Sequence, residues 1–206
     1  MTLTHFAIIA VCAYLLGSLS FAIIVSKVTL GKDIRNYGSG NAGLTNAYRT
    51  MGAKKTLFVL LGDIAKGAAA VSVGWALGGP VGKLTAGIFV ILGHMFPLYF
   101  GFKGGKGVLV GAGAALATEP LVCAVLLGIF LIEVAVTHIV SLGSIIIAAL
   151  YPVGTLINLI ARGANLPTIL FSTICCVIMA AMVIWLHRSN IERLKNGTEY
   201  RFGQKK

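Results

Sequence analysis

Long apolar runs alternate along this chain with short joints rich in glycine, asparagine and lysine. The apolar runs are too long for strands. Runs over 3–25, 56–77, 84–102, 139–161 and 167–186 predict helices near the ~20 residues that cross a bilayer. A further passage, 108–136, is broken at Thr118-Glu119-Pro120. A proline there removes a backbone donor and pushes the residue before it out of the helical region, so the passage divides into helices over 108–117 and 120–137. The first of these is too short to cross a bilayer alone. The joints are 26–55, Gly78-Gly79-Pro80, Lys103-Gly104-Gly105-Lys106-Gly107, Arg162-Gly163-Ala164-Asn165 and the tail 187–206.

Composition sharpens this pattern. Of 206 residues, 57% are hydrophobic and 11% charged, against roughly 25% charged in a soluble chain. Disorder is excluded as well, because it requires low hydrophobicity and dense charge. The expectation is an all-α, polytopic membrane helix bundle of about seven transmembrane helices, organised as one domain over 1–206. The first run lacks a basic leader and a small-residue cleavage signature, so it reads as a spanning helix. Cys12, Cys123, Cys175 and Cys176 lie inside apolar runs, where a thiol behaves as a small hydrophobe; no disulfide framework or metal-ligand spacing is present.

Charge then orients the bundle. The 17 Lys and Arg outnumber the 6 Asp and Glu, for a net charge of +11. Fourteen of the basic residues fall in 26–55, 103–107 and 187–206, whereas Lys83 and Arg162 alone fall in the opposite joints. That bias predicts an outside N-terminus and a cytoplasmic C-terminus. The excess suits anionic lipids or phosphorylated substrates at a membrane face, and nucleic acid is not expected as a partner.

The joints also carry the candidate chemistry. Gly38-Ser39-Gly40-Asn41-Ala42-Gly43-Leu44-Thr45-Asn46, followed by Arg49, contains G-x-G-x-x-G without the strand that a dinucleotide site needs. Its general content is an anion loop: glycines let backbone N–H groups approach, short polar side chains add donors, and Arg49 offers a two-pronged clamp. Gly93-His94-Met95-Phe96-Pro97 precedes Phe102-Lys103-Gly104-Gly105-Lys106-Gly107. A nucleotide P-loop fails here, since Phe100 and Gly107 stand where Gly and Ser or Thr are needed, but two lysines among three glycines ahead of a helix form a phosphate cradle. His94 reads as a helix-packing hydrogen bonder or as a catalytic group. Ser141 and Ser144 share a helix face, as packing surface or as donors. The tail opens with His187-Arg188-Ser189-Asn190-Ile191-Glu192-Arg193-Leu194 and continues to Gly197, Glu199 and Arg201. Asp63 and Lys66 form an i, i+3 pair inside a span, where charges are functional by default or pair with each other. These clusters reach the predicted cytoplasmic face and suit two phosphate-bearing molecules, one of them a lipid. No carboxylate pair, metal cluster or Ser-His-Asp arrangement accompanies them, so no cofactor is implied.

Three of these segments, in this order, resemble the motifs of the bacterial acyl-phosphate:glycerol-3-phosphate acyltransferases, the PlsY type: Ser39 to Arg49, Gly93 to Gly107, and His187 to Leu194. Gly17-Ser18 and Asp63-Ile64-Ala65-Lys66-Gly67 look like family features too. Departures are Ser20, Ala42 and Leu44, where the family often has Pro, Pro and Ala. The resemblance implies acyl transfer from acyl phosphate to the 1-hydroxyl of sn-glycerol 3-phosphate. The products would be lysophosphatidic acid and inorganic phosphate, at the cytoplasmic face of a bacterial inner membrane. It further implies Ser39, Arg49, His187 and Asn190 as catalytic residues. Asn41, Gly43, Thr45, Asn46, Lys103, Gly104, Gly105, Lys106, Gly107 and Ser144 would bind substrate. Acyl phosphate, glycerol 3-phosphate and membrane lipids are the implied partners. The other acyltransferase type uses a His-x4-Asp pair; the corresponding positions here are Ala10, Tyr99, Gly143 and Glu192. The rival readings are a small anion or phosphate permease and a membrane scaffold.

Overall fold

The computed structural model describes residues 1–202. Among them are helices and short turns of 3-10 helix but no β-strand. The chain forms two compact units, Met1–Thr118 and Glu119–Lys206.

In the first unit, α1 (Leu3–Gly17) starts at Thr2, whose side chain accepts the His5 N–H. The run expected to be one helix over 3–25 is interrupted at 18–20. Ser18 Oγ donates to Tyr14 O at 2.9 Å and accepts the Leu98 N–H at 3.2 Å, so a hydroxyl inside the apolar run ties the end of α1 to a distant turn. Helix α2 (Phe21–Leu30) then runs five residues past the apolar stretch. Its polar side chains are satisfied locally, Ser26 by Lys32 O and Thr29 by Val25 O, both at 2.7 Å. It stops at Gly31 in the left-handed region, φ 64°, a conformation open to glycine without steric cost.

Helix α3 (Leu44–Met95) begins within the stretch expected as a polar joint and is three rods, separated by non-helical Gly52 and Gly79. The fold-back at Gly79 matches the expected Gly-Gly-Pro break. A Cβ placed on either Gly74 or Gly82 would run into the other's carbonyl, so the rods over 53–78 and 80–95 lie face to face with backbones nearly touching. Small residues permit the same closeness between α3 and α4 (Val108–Thr118), where side chains at Gly67 or Gly113 would strike Val110 O or Ile64 O. Such contacts replace the hydrophobic drive that helices lack in lipid.

Beneath the 31–46 loop sits a small apolar core of Ala22, Ile23, Val25, Ile34, Ala42, Ala47 and Val59, edged by Phe21, Leu44, Met51 and Phe100. This core gives an otherwise polar, glycine-rich loop something to fold on.

The second unit contains α5 (Pro120–Thr137), α6 (Val140–Ala161), α7 (Leu166–Leu186) and α8 (Arg188–Lys195). Pro120 sits in the first turn of α5, where its missing N–H costs nothing. Asn165 caps α7 by accepting the Thr168 N–H at 3.0 Å. The chain after α8 returns to the α5–α6 corner, the Phe202 N–H reaching His138 O at 2.6 Å.

Five stretches of the described residues are long and apolar enough to cross a membrane: Leu3–Leu30, Leu44–Phe100, Pro120–Thr137, Val140–Ala161 and Leu166–Leu186. The chain is thus an all-helical protein of membrane-spanning composition.

Candidate functional site

The glycine loop is built around one side chain. Asn46, 1% exposed, donates through Nδ2 to Ile34 O, Tyr37 O and Asn41 O at 3.0–3.2 Å. Its Oδ1 accepts the Ser39 N–H at 2.8 Å. Every polar atom of that carboxamide serves the loop's own backbone. Around this post the loop presents Ser39 to solvent and leaves Asn41, Gly43 and Thr45 half-buried. Gly43 is the N-cap of α3 and supplies no capping side chain. The first amides of a helix carry partial positive charge, and Thr45 and exposed Arg49 lie one turn apart on the rod that follows.

The Lys-Gly-Gly-Lys-Gly turn lies against this loop. The Gly104 N–H donates to Met95 O and the Gly105 N–H to His94 O, both at 3.1 Å. A Cβ on Gly105 would meet Ala42 O of the glycine loop, which is why the two segments need glycine where they touch. Gly107 turns with φ 82° into α4. Lys103 is exposed and Lys106 half-buried.

A second fastening went unnoticed in the sequence. Arg35 Nη1 donates to Phe100 O at 2.6 Å and Lys103 O at 3.1 Å, while its Nε and Nη2 grip Asp33 at 3.0 and 2.8 Å. The hydrogen bond from Arg35, with its charge, holds the Asp33 carboxyl below its usual range despite partial burial. The Asp-x-Arg spacing was the only available signal, and such pairs are common on surfaces.

Deeper in the unit, the pair expected at Asp63 and Lys66 is present and buried, with Nζ 2.8 Å from Oδ1. His94, also buried, joins them through Nδ1 at 2.9 Å from Lys66 Nζ.

In the second unit the tail forms a cluster around Glu199. Its Oε1 accepts from Asn190 Nδ2 at 2.7 Å and from Ser141 Oγ at 2.8 Å, and its Oε2 from Arg193 Nε at 2.7 Å. Burial alone would raise this carboxyl's pKa. The three donors and the Arg193 charge outweigh it and hold the pKa below the ordinary value. The sequence marks Glu199 without giving it this central place, because Glu199 lies in the tail while its partners come from α6 and α8. His187 is buried, with Nδ1 2.8 Å from Val183 O. A carbonyl only accepts, so Nδ1 carries a proton. The Ser144 hydroxyl donates to Val140 O of its own helix at 2.8 Å.

The structure therefore brings the first two sequence segments together in one unit. The third, with Ser141 and Ser144, stands in the other. Five of the six carboxylates have internal partners: Asp33 and Asp63 as above, Glu119 with Asn158, Glu133 with Thr137, and Glu199. Among the described residues no group of His, Cys, Asp and Glu could hold a metal ion.

The family model described as glycerol-3-phosphate acyltransferase matches residues 7–197. A protein of that name from Clostridioides difficile (strain 630) is 43% identical over 212 residues, spanning the whole of both chains. Another from Syntrophomonas wolfei is 40% identical across 97% of this chain and 98% of its own. The crystal structure of PlsY (YgiH), an integral membrane glycerol 3-phosphate acyltransferase, in its glycerol 3-phosphate form has TM-score 0.83 and 34% identity, covering 96% of each chain. Its lysophosphatidic acid form gives TM-score 0.82 and 32% identity, covering 96% of this chain and 95% of that one. By sequence over its whole length and by fold, the chain belongs to the glycerol-3-phosphate acyltransferase family, of the PlsY type.

Proposed function

We propose that this protein transfers a fatty acyl group from acyl phosphate to the 1-hydroxyl of sn-glycerol 3-phosphate, releasing lysophosphatidic acid and inorganic phosphate. The observation that carries the reading is the contact between the glycine loop and the Lys-Gly-Gly-Lys-Gly turn at Ala42 and Gly105. It gathers Ser39, Thr45, Arg49, Lys103 and Lys106 on one scaffold with few uncommitted carboxylates.

In this reading Ser39, Asn41, Thr45 and Arg49 hold the phosphate of the acceptor and orient its hydroxyl. The turn over 103–107 holds the headgroup of the donor with the charge of Lys103 and Lys106, and Gly43 keeps the mouth of the loop open. Asn46 acts as a positioning residue, since its carboxamide is spent on the loop. The acceptor oxygen attacks the acyl carbon, the carbon–oxygen bond to phosphate breaks, and phosphate leaves with the electron pair. Phosphate is a good leaving group, so catalysis consists mainly of positioning and charge stabilisation. The hydroxyl proton has two acceptors within the proposed chemistry, the departing phosphate and His187 Nε2. Asn190 and Ser144 complete the catalytic set, with Glu199 fixing Asn190. The acyl chain lies in an apolar groove of about 400 Å³ lined by Cys12, Leu15, Leu16, Leu19, Val73 and Tyr99.

The whole chain works as one catalytic domain of seven spanning helices, counting the rods over 53–78 and 80–95 separately and including α4. The N-terminus is outside, and the active site faces the cytoplasm across a bacterial inner membrane, as the distribution of basic residues supports.

The test supplies purified protein and glycerol 3-phosphate with palmitoyl phosphate, palmitoyl-CoA or palmitoyl carrier protein. Lysophosphatidic acid from palmitoyl phosphate alone is the expected result. Product from a thioester overturns the donor assignment. No product, together with phosphate uptake into proteoliposomes, overturns the enzyme reading in favour of a permease.

A further inference from the structure

Asp63 and Lys66 are 1% and 4% exposed, an expensive place for two charges if packing were their only purpose. Their geometry is specific. The Lys66 ammonium faces three acceptors, Leu19 O at 2.5 Å, Asp63 Oδ1 at 2.8 Å and His94 Nδ1 at 2.9 Å. An ammonium has three protons and no lone pair. Nδ1 of His94 must therefore accept, and the ring carries its proton on Nε2. The charged pair thus fixes both the orientation and the tautomer of an imidazole that is itself 4% exposed.

That imidazole edge is where the donor turn is set. A Cβ on Gly105 would collide with His94 Nε2 as well as with Ala42 O, so Gly105 is held between the ring and the glycine loop. The backbone grips the same point, through the Gly105 N–H to His94 O and the Gly104 N–H to Met95 O, both at 3.1 Å. The ion pair, the ring and the turn form one continuous stack.

We propose that Asp63, Lys66 and His94 are a positioning triad for the acyl-phosphate side of the reaction: the ion pair locks the imidazole, and the imidazole edge sets the height of the Gly104–Gly105 turn against Ala42. The inference rests on the acyltransferase reading and deepens it, since it assigns a role in donor binding to residues that touch neither substrate. A purely structural pair would stabilise the helices and affect both substrates alike.

The experiment compares the full-length protein with Lys66→Met and His94→Asn in detergent, measuring half-saturation for palmitoyl phosphate and for glycerol 3-phosphate, with melting temperature alongside. His94→Asn keeps an acceptor for Lys66 near the Nδ1 place and removes the ring edge. The expected result is a rise of roughly tenfold or more in donor half-saturation, with acceptor half-saturation within about twofold, in His94→Asn that melts near the parent. An unchanged donor value in that variant overturns the triad, as does an equal loss toward both substrates. If Lys66→Met does not fold, His94→Asn decides alone. A parent inactive with palmitoyl phosphate would instead overturn the acyltransferase reading, and the triad's role with it, whereas an active parent with indifferent variants overturns the triad only.

Discussion

Arg35 donates to the carbonyl of Lys103 at 3.1 Å, so the turn bearing the second glycine cluster is fastened by a residue from the approach to the first. The bond spans 68 positions of sequence and, with the Phe100 contact, gives the two glycine-rich segments a common anchor.

Arg35→Ala is expected to destabilise the protein by about 1–3 kcal/mol, because Phe100 O, Lys103 O and Asp33 lose a shared charged donor. Donor half-saturation should rise more than acceptor half-saturation. Arg35→Lys should recover little, since an ammonium cannot reproduce the fork of guanidinium bonds. Initial-rate kinetics with each substrate varied in turn, plus thermal melting, check both statements.

Arg49→Ala should leave the protein folded and raise the glycerol 3-phosphate requirement. Loss of a charged phosphate clamp corresponds to about 1.5–3 kcal/mol, or roughly a tenfold to hundredfold rise in half-saturation. Wild-type kinetics in the purified variant would remove Arg49 from the site.

Glu199 makes a pH-dependent contribution to stability. Its carboxyl titrates below the ordinary value of 4.5 when folded, so the stabilisation is fully present above that value. It is lost as the pH falls through the folded value. Glu199→Gln should melt lower than the parent at neutral pH and lose less on acidification. Melting curves between neutral and strongly acidic pH would show the two proteins converging; parallel curves would count against the assignment.

Gly79 sits at φ 57°, ψ −144° with open space around its missing Cβ. Gly79→Ala therefore meets no steric neighbour and tests backbone conformation alone. It should cost about 1–3 kcal/mol and loosen the fold-back between the two long rods of α3, read as a lower melting temperature with unchanged substrate half-saturation.

Much of this protein was legible along the chain. Hydropathy located the spanning stretches, and the Pro120 and Gly79-Pro80 breaks fell where a missing donor and a left-handed glycine require them. The Asp63–Lys66 pair followed from i, i+3 spacing inside an apolar run, where two opposite charges have few other partners. Less legible were the break at Ser18–Ser20, the helix beginning at Leu44 and the Glu199 cluster. Each depends on a partner far away in sequence: Leu98 for Ser18, the apolar core for Leu44, and Ser141 for Glu199.

The sequence by itself determined a helical membrane-spanning chain and which segments carry anion-binding chemistry, because burial of apolar length in lipid and the donor inventory of side chains are properties of local composition. Only the tertiary structure decided which of those polar groups face outward and which are consumed inside. Asn46 reads along the chain as a ligand and is a loop post; Arg35, one basic residue among several in a polar joint, is a clasp; His94 sits on an ion pair and under a glycine. A hydrogen bond satisfies a particular pair of atoms at about 3 Å, and which atoms come that close is fixed by how the helices pack, not by the order of residues along any one of them.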